Sequence, residues 1–183
     1  MWYTDIKKFF DPPMNRAKLK EQTAFYLRTT VFGIEDSLVS TVGLLSGIAI
    51  ANVTKPSILI SGIVLIFVEA FSMGAGSFLS EHSSEEFLKS KEQPHRKSII
   101  GGVIMFISYF FAGFVPLSPY FVFGVSTAFY VSIIISVMAL FILGSIRGRL
   151  SKVNVLKAAW EMTLVGSVAI ALGVAIGTIF KIK

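Results

Sequence analysis

Long apolar runs separated by short polar segments make up most of the chain. A transmembrane helix needs roughly 20 mostly apolar residues to cross the hydrocarbon core of a bilayer. Five runs reach or approach that length, at about 29–52, 57–80, 99–116, 120–146 and 159–180. They are continuously apolar, whereas the strands of a membrane β-barrel alternate apolar and polar residues. The pattern predicts an all-α integral membrane protein with five transmembrane helices.

A proline-containing turn is predicted between the third and the fourth run, which adjoin without a charged residue. Residues 98–146 form a stretch of 49 positions that contains no Asp, Glu, Lys, Arg or His. Residues 116–119 (Pro-Leu-Ser-Pro) lie within it, and clusters of Pro and Ser favour turns. We therefore expect one helix to end at Pro116 and the next to begin at Tyr120.

The composition places the chain among membrane proteins and excludes several soluble classes. Hydrophobic residues make up 54% of the 183 residues and charged residues only 15%, whereas soluble domains carry about 25% charged residues. A soluble domain of this size could not bury so much apolar surface in one core. The absence of cysteine excludes a disulfide-stabilised scaffold. We expect no binding of nucleic acid despite the net charge of +6, because membrane topology accounts for the basic residues.

The distribution of Lys and Arg predicts a cytoplasmic N-terminus. With that orientation, fourteen of the 17 Lys and Arg residues lie on the cytoplasmic side, which is the side where membrane proteins carry excess positive charge. Residues 1–28 then form a basic cytoplasmic segment, and residues 81–97 form a short cytoplasmic loop. No cleavable signal peptide is expected, because the segment before the first run is polar. Within that segment, residues 15–27 fit either an amphipathic helix on the membrane surface or a solvated, positively charged tail.

Three acidic residues lie well inside the first two runs and are the strongest candidates for functional residues. They are Glu35 and Asp36 in the first run and Glu69 in the second. A charge at the centre of a membrane helix costs about 2.5–3.5 kcal/mol by insertion scales, and such side chains usually face the protein interior or a transport path. We therefore expect a functional role for Asp36 and Glu69. Glu35 lies about 100° around the helix from Asp36, so a hydrogen bond between helices fits it as well as metal binding does.

Helical spacing places Asp36 and Glu69 on the same faces as small residues. Residues three, four or seven positions apart lie on one face of a helix, and small residues let a second membrane helix approach closely. Both carboxylates are therefore expected to face other helices rather than lipid. The glycines predicted to serve helix packing or a dimer contact are Gly43, Gly47, Gly76, Gly173 and Gly177.

Asp36, Glu69 and Met73 are predicted to bind a divalent metal ion. Asp36 lies 8 residues after Arg28, and Met73 lies 8 residues before Glu81. At about 1.5 Å per residue, both lie roughly 12 Å from the cytoplasmic boundary, with Glu69 one turn deeper. Carboxylate oxygens suit Mg²⁺, Ca²⁺ or Mn²⁺, and a thioether sulfur shifts the preference toward Fe²⁺ or a similar transition metal.

Four side chains that follow the second run form a weaker candidate for metal binding. They are Glu81, His82, Glu85 and Glu86, which cluster on one side of a helical extension of that run. They fit either a group that collects metal at the cytoplasmic mouth or an ordinary solvated, charged face. Glu161, near the start of the fifth run, is expected to form an ion pair with Lys157 one turn earlier.

Motifs in the first two runs resemble those of the vacuolar iron transporter family of plants, yeast and microbes. Residues 28–40 (Arg-Thr-Thr-Val-Phe-Gly-Ile-Glu-Asp-Ser-Leu-Val-Ser) are similar to the family's arginine, glycine and Asn/Ser-Asp-Gly-Leu-Val-Ser/Thr signature. Residues 72–77 (Ser-Met-Gly-Ala-Gly-Ser) resemble the family's Ser-Met-(small)-x-Gly-Glu segment. Asp36 and Met73 are 37 positions apart, the spacing of the family's intramembrane aspartate and methionine.

The resemblance implies a homodimeric transporter that moves Fe²⁺, and often Mn²⁺, out of the cytoplasm in exchange for protons. The ion path would run between subunits, and the family's metal-translocating aspartate and methionine correspond to Asp36 and Met73. The metal is then the transported substrate, with no permanently bound cofactor. No pairing of a nucleophile with a base is evident, so we expect a carrier and not an enzyme.

Two departures from the family pattern identify a minimal member. Ser77 stands where the family has a glutamate. Residues 81–97 are too few for the Glu- and Met-rich cytoplasmic metal-binding domain of iron-storing members. Two other functions remain open on the sequence alone: a non-transporting membrane scaffold whose buried acids fix helix register, and a passive cation channel. The compact length favours the plasma membrane of a microbe, with a vacuolar or other organellar membrane as the alternative.

Overall fold

Five long helices form the molecule. The computed structural model describes residues 16–89 and 96–181. The helices in these residues are α1 (Arg16–Ile50), α2 (Lys55–Lys89), α3 (Arg96–Val122), α4 (Val125–Leu150) and α5 (Val155–Ile179). Each is long and apolar enough to cross a membrane. The prediction of an all-α protein with five membrane helices is confirmed.

Short links make successive helices run in opposite directions. Residues 51–54 join α1 to α2, residues 123–124 join α3 to α4, and residues 151–154 join α4 to α5. One end of the bundle therefore collects the N-terminal part of α1, the C-terminal ends of α2 and α4, and the starts of α3 and α5. We call this the basic end, because it carries Arg28, Lys97, Arg147, Arg149 and Lys157.

Two helices extend beyond the predicted spans at the basic end. Helix α1 already begins at Arg16, and α2 continues to Lys89. Most of the segment predicted as a cytoplasmic loop at 81–97 is therefore helical, with α3 starting at Arg96. Residues 16–27 are continuous with the first span. The orientation of residues 15–27 along the membrane surface stays a prediction. Residues 1–15 lie outside the described residues.

The turn predicted at residues 116–119 is wrong. Helix α3 passes through Pro116 and Pro119 and ends at Val122. A proline in a helix removes one N–H donor and leaves the carbonyl four residues earlier without its usual partner. For Pro119 that carbonyl belongs to Val115, and it accepts a hydrogen bond of 2.8 Å from Ser118 Oγ.

A contact between α3 and α4 also supports the proline-containing turn of helix. Ser132 Oγ of α4 donates a hydrogen bond of 2.7 Å to the Pro116 carbonyl oxygen. Ser132 and Pro116 are both buried. The bond joins the proline-containing turn to α4, but it does not replace the bond lost at Pro116, whose missing N–H would serve the carbonyl four residues earlier. The helix ends three residues after Pro119, at the two-residue link of Phe123 and Gly124.

Glycines bring the backbones of α1 and α5 into contact. Gly43 and Gly47 of α1 face Gly173 and Gly177 of α5. A Cβ atom on Gly47 would lie 2.8 Å from the Gly173 carbonyl oxygen, which is closer than a side chain can approach without displacing a helix. The spacing of four residues on both helices is the small-residue pattern of tightly packed membrane helices.

Candidate metal-binding site

Asp36 and Glu69 carry neighbouring charges on α1 and α2. Each carboxylate lies within electrostatic range of the other, and both side chains are half-buried. Helix α1 packs mainly against α3 and α5, so its contact with α2 is the more open of its flanks. Phe32, one turn before Asp36, is 48% exposed on the single chain. The two carboxylates therefore lie between α1 and α2 on a partly open face.

Met73 lines a cavity of about 440 Å³ that opens at the basic end. The cavity lies between α1, α2 and α3, and its lining includes Arg28, Ser77, Glu81 and Met105. Met105 is only 5% exposed, so a second thioether borders the space that Met73 borders. Met105 does not stand out in the sequence as a possible ligand, because a lone methionine in an apolar helix carries no signal that separates a ligand from a packing residue.

Two of the three predicted ligands, Met73 and Glu69, line different cavities of the single chain. Met73 lines the large cavity, whereas Glu69 lines a separate, shallow one of about 350 Å³ with Ser61 and Val68. Within residues 16–89 and 96–181, no three His, Cys, Asp or Glu side chains are grouped closely enough to hold a metal ion. Metal binding by Asp36, Glu69 and Met73 therefore stays a prediction.

A network of hydroxyl groups lies behind the two carboxylates. Ser37 Oγ donates a hydrogen bond of 2.6 Å to the Tyr109 carbonyl oxygen, and Ser40 Oγ lies 2.7 Å from Tyr109 Oη. Ser37 and Tyr109 are fully buried. The Tyr109 hydroxyl is also within electrostatic range of Asp36 and Glu69. Tyr109 does not stand out in the sequence, because only the packing of α3 on α1 brings it beside Ser37 and Ser40.

Glu35 is subject to the charge of a basic side chain of α4. It lies within electrostatic range of Arg147 as well as of Asp36. Arg147 in turn donates a hydrogen bond of 2.7 Å to Glu161 Oε2 of α5. The predicted ion pair of Glu161 with Lys157 is wrong, because Arg147 from the neighbouring helix is the partner. Glu35 thus belongs to an electrostatic group that joins α1, α4 and α5.

The acidic side chains at the end of α2 are engaged with other side chains. Lys97 Nζ of α3 lies 2.5 Å from Glu81 Oε1 and 3.4 Å from Glu85 Oε1. The same ammonium group lies 4.9 Å from the centre of the Phe25 ring on α1, within the range of a cation–π interaction. Lys97 therefore ties the end of α2 to α1 and α3, and a role of these acids in collecting metal stays a prediction.

The remaining members of that group, His82 and Glu86, lie on the same helix. His82 Nε2 is 3.1 Å from Glu86 Oε1, and the His82 ring stacks on Phe78 at 5.9 Å.

Gly76, the glycine of α2 that is predicted to serve helix packing or a dimer contact, differs from the glycines of α1 and α5. A Cβ atom on it would meet nothing within 4 Å. No described residue of the chain therefore packs against Gly76, and a packing role for it stays a prediction.

Relatives of the chain are found across archaea, plants and other eukaryotes. It is 29% identical over 163 residues to an uncharacterised protein of Methanocaldococcus jannaschii, which covers 79% of this chain and 84% of the relative. It is 23% identical over 205 residues to vacuolar iron transporter 1 of Tulipa gesneriana (79% of this chain, 83% of the relative). It is 22% identical over 205 residues to vacuolar iron transporter 1 of Arabidopsis thaliana (79% and 82%).

The matches also show that a relative contains residues beyond those of this chain and that the family profile matches in two parts, which meet near the connection between α2 and α3. The alignment with the tulip protein runs over 205 positions but uses only 79% of this 183-residue chain, so that relative contains residues which this chain lacks. The sequence profile of the VIT family matches in two parts, residues 27–101 and 88–178, which overlap around this connection. Together the two parts cover all five helices, and the resemblance noted in the first two spans is confirmed. The chain belongs to the VIT family.

Proposed function

We propose that the protein is a transmembrane transporter that exports Fe²⁺, and also Mn²⁺, from the cytoplasm in exchange for protons. The observation that carries the proposal is the pair of carboxylates, Asp36 and Glu69, held within each other's electrostatic range in two membrane helices of a VIT family member. Such a pair inside a membrane is costly and is typical of an ion pathway. The relatives named vacuolar iron transporter support a metal as the substrate.

The proposed route starts at the basic end. A hydrated ion enters the cavity that Met73 and Glu81 line, loses part of its water and passes to Asp36 and to Glu69, which lies one turn deeper than Met73 on α2. Met73 supplies a soft sulfur ligand, which favours Fe²⁺ over Mg²⁺ and Ca²⁺. Carboxylates must be deprotonated to bind a metal. A proton that arrives from the other side therefore competes with the ion and releases it.

The ligand count supports a homodimer. Two carboxylates and one thioether from a single chain leave positions open on an ion with six ligands, and a second subunit can fill them. Asp36 and Glu69 are half-buried and not enclosed in the core, so the same residues of a second subunit can approach them. Gly76 of α2, which has free space around it, lies on the same open side as Met73 in the cavity lining. In this proposal the ion path runs between the two subunits.

The test is metal flux into liposomes that contain the purified protein. Asp36→Asn removes one charge and keeps the side-chain shape. We expect it to lower Mn²⁺ flux by about tenfold or more, because even changes to residues that only support metal ligands cost 10–100-fold in affinity or activity. Glu161→Gln is the matched control, since Glu161 is an exposed acid that pairs with Arg147, and its flux should stay near the wild-type value.

The outcomes distinguish the three functions. Flux that increases with an imposed pH gradient and moves protons in step supports the antiporter. Flux that ignores the pH gradient indicates a passive channel, and absence of flux from a folded wild-type protein indicates a scaffold. Wild-type flux in the Asp36→Asn variant contradicts the proposed site.

A further inference from the structure

We infer that Tyr109 is a positioning residue of the transport site, which holds the Ser40 hydroxyl so that its oxygen faces an ion bound at Asp36 and Glu69. The inference rests on the proposed function, because it assumes that these carboxylates carry the ion. It assigns a role to two residues, one of which lies on a helix that supplies no predicted ligand.

Ser40 lies on the same face of α1 as Asp36. Ser40 follows Asp36 by four residues, so the two side chains lie on one face of the helix, one turn apart. Ser40 is half-buried, whereas Ser37 and Tyr109 are fully buried. Ser40 is therefore the member of the hydroxyl network that reaches the partly open face between α1 and α2.

The hydrogen-bond geometry favours Tyr109 as the partner of Ser40. The Ser40 hydroxyl has two acceptors in reach, the Ser37 carbonyl oxygen at 3.4 Å and Tyr109 Oη at 2.7 Å. The first distance is long for an O–H···O bond, and the second is typical of one. When Ser40 donates to Tyr109, both lone pairs of Ser40 Oγ are available to an ion. Tyr109 then has its own proton free to donate toward the carboxylates, which lie within electrostatic range.

The tyrosine ring is held in place independently of its hydroxyl. Ser37 Oγ donates to the Tyr109 backbone carbonyl at 2.6 Å, which fixes α3 against α1 at this level. Gly113, one turn further along α3, allows this approach, because a Cβ atom there would lie 2.9 Å from Ser37 Oγ. Removing only the hydroxyl of Tyr109 should therefore leave the ring and the helix contact unchanged.

Tyr120 provides a matched control on the same helix. It is fully buried like Tyr109, but its hydroxyl has no hydrogen-bond partner within residues 16–89 and 96–181. It packs in the apolar cluster that contains Leu45 and Leu117. Loss of an unpaired buried hydroxyl is neutral or stabilising. Tyr120→Phe therefore controls for the loss of a buried tyrosine hydroxyl without touching the proposed site.

The experiment measures Mn²⁺ flux as a function of Mn²⁺ concentration in liposomes. We expect Tyr109→Phe and Ser40→Ala each to raise the half-saturating concentration about tenfold, within the range for residues that support metal ligands. Maximal flux should stay within about twofold of wild type, because Asp36 and Glu69 still bind the ion. Tyr109 and Ser40 act through one interaction, and the effects of substituting such a pair do not add. The double variant should accordingly be no weaker than either single variant. Tyr120→Phe, which lies outside the site, should match the wild type, and Ser40→Thr, which keeps a hydroxyl, should recover most of the affinity that Ser40→Ala loses.

Each alternative result has a definite meaning. An unchanged half-saturating concentration in Tyr109→Phe and Ser40→Ala overturns the inference. Additive effects in the double variant also overturn it, as does an equal loss of maximal flux in Tyr109→Phe and Tyr120→Phe, which indicates a structural role. Should Tyr109→Phe fail to fold, the comparison of Ser40→Ala with Ser40→Thr decides. If Asp36→Asn abolishes flux while these variants behave as wild type, only this inference fails. If Asp36→Asn transports normally, the proposed function fails.

Discussion

The glycines of the membrane helices differ in what a side chain would meet. At Gly47 a methyl group would press against the backbone of α5, whereas at Gly76 it would enter free space. Helical spacing in the sequence places both glycines on predicted packing faces. What separates them is the neighbour, since α5 lies against Gly47, whereas no described residue lies within 4 Å of a Cβ atom on Gly76.

Gly47→Ala should destabilise the protein, and Gly76→Ala should not. Forcing an extra methyl group into a tight contact costs about 1–3 kcal/mol. In open space, alanine instead stabilises a helix by about 0.8–1 kcal/mol relative to glycine. Thermal unfolding of the two variants in detergent measures the difference. A higher unfolding midpoint for Gly47→Ala than for Gly76→Ala would contradict the close contact between α1 and α5.

At the scale of helices, two hydroxyl groups bond to carbonyls in the proline-containing turn of α3, and one of them compensates for Pro119. Ser118 satisfies a carbonyl within the helix, and Ser132 reaches Pro116 from α4. The next buried serine of α4, Ser136, donates instead to the Ser132 carbonyl within its own helix, at 2.7 Å. Two buried serines one turn apart therefore make different contacts, one between helices and one within a helix.

Ser132→Ala should cost more stability than Ser136→Ala. Hydrogen bonds between membrane helices contribute about 0.6 kcal/mol on average and up to about 1.7 kcal/mol, and only Ser132 makes one. Loss of the local bond at Ser136 leaves the helix with its backbone bonds intact. Unfolding of both variants by a denaturing detergent tests the order. Equal losses would show that the bond to Pro116 does not hold α3 against α4.

The sequence predicted the helices well and their contacts poorly. Length and hydropathy identify five spans, because a bilayer imposes the same requirement on every spanning segment. The sequence predicts a turn at residues 116–119, because Pro and Ser favour turns locally. The hydrogen bond from Ser132 of α4 to the Pro116 carbonyl depends on the packing of two helices and is not visible in the local sequence. The same limit applies to the basic end, where Lys97 meets Glu81 only after α2 and α3 pack side by side.

The candidate site shows a similar division. Asp36 and Glu69 stand out in the sequence because acids are rare in membrane spans, and helical spacing predicts their common level. Tyr109 and Met105 do not stand out, because aromatic and sulfur side chains are common in apolar helices. Their relation to the site depends on how α3 approaches α1. A single sequence contains no signal for that approach other than small residues such as Gly113.

At the scale of the whole molecule, the orientation in the membrane can be tested without altering any native cysteine, because the chain has none. We expect Ser151→Cys to react from the cytoplasmic side and Thr54→Cys from the opposite side, as the distribution of Lys and Arg requires. Both positions are exposed. The neighbouring Asn52 and Lys152 are unsuitable, since their positive φ angles of 64° and 55° are costly for most side chains.

The measurement is labelling of intact cells by a thiol reagent that cannot cross the membrane. Thr54→Cys should be labelled at once, and Ser151→Cys only after the cells are opened. The reverse pattern would place the N-terminus outside and invert the proposed direction of transport. Labelling of both in intact cells would show that residues 51–54 and 151–154 are on one side, which the fold does not allow.

The two short links at the end of the bundle away from the basic end bear on how the proposed transport is controlled. Residues 51–54 and 123–124 are the only chain between their helices, so neither link has the length to form a lid or a storage site. Under the proposed function, an ion that leaves between these links enters the bulk phase directly, and its rebinding depends on the composition of that compartment. The proposed transport would then be controlled by the supply of metal on one side and by the acidity of the other.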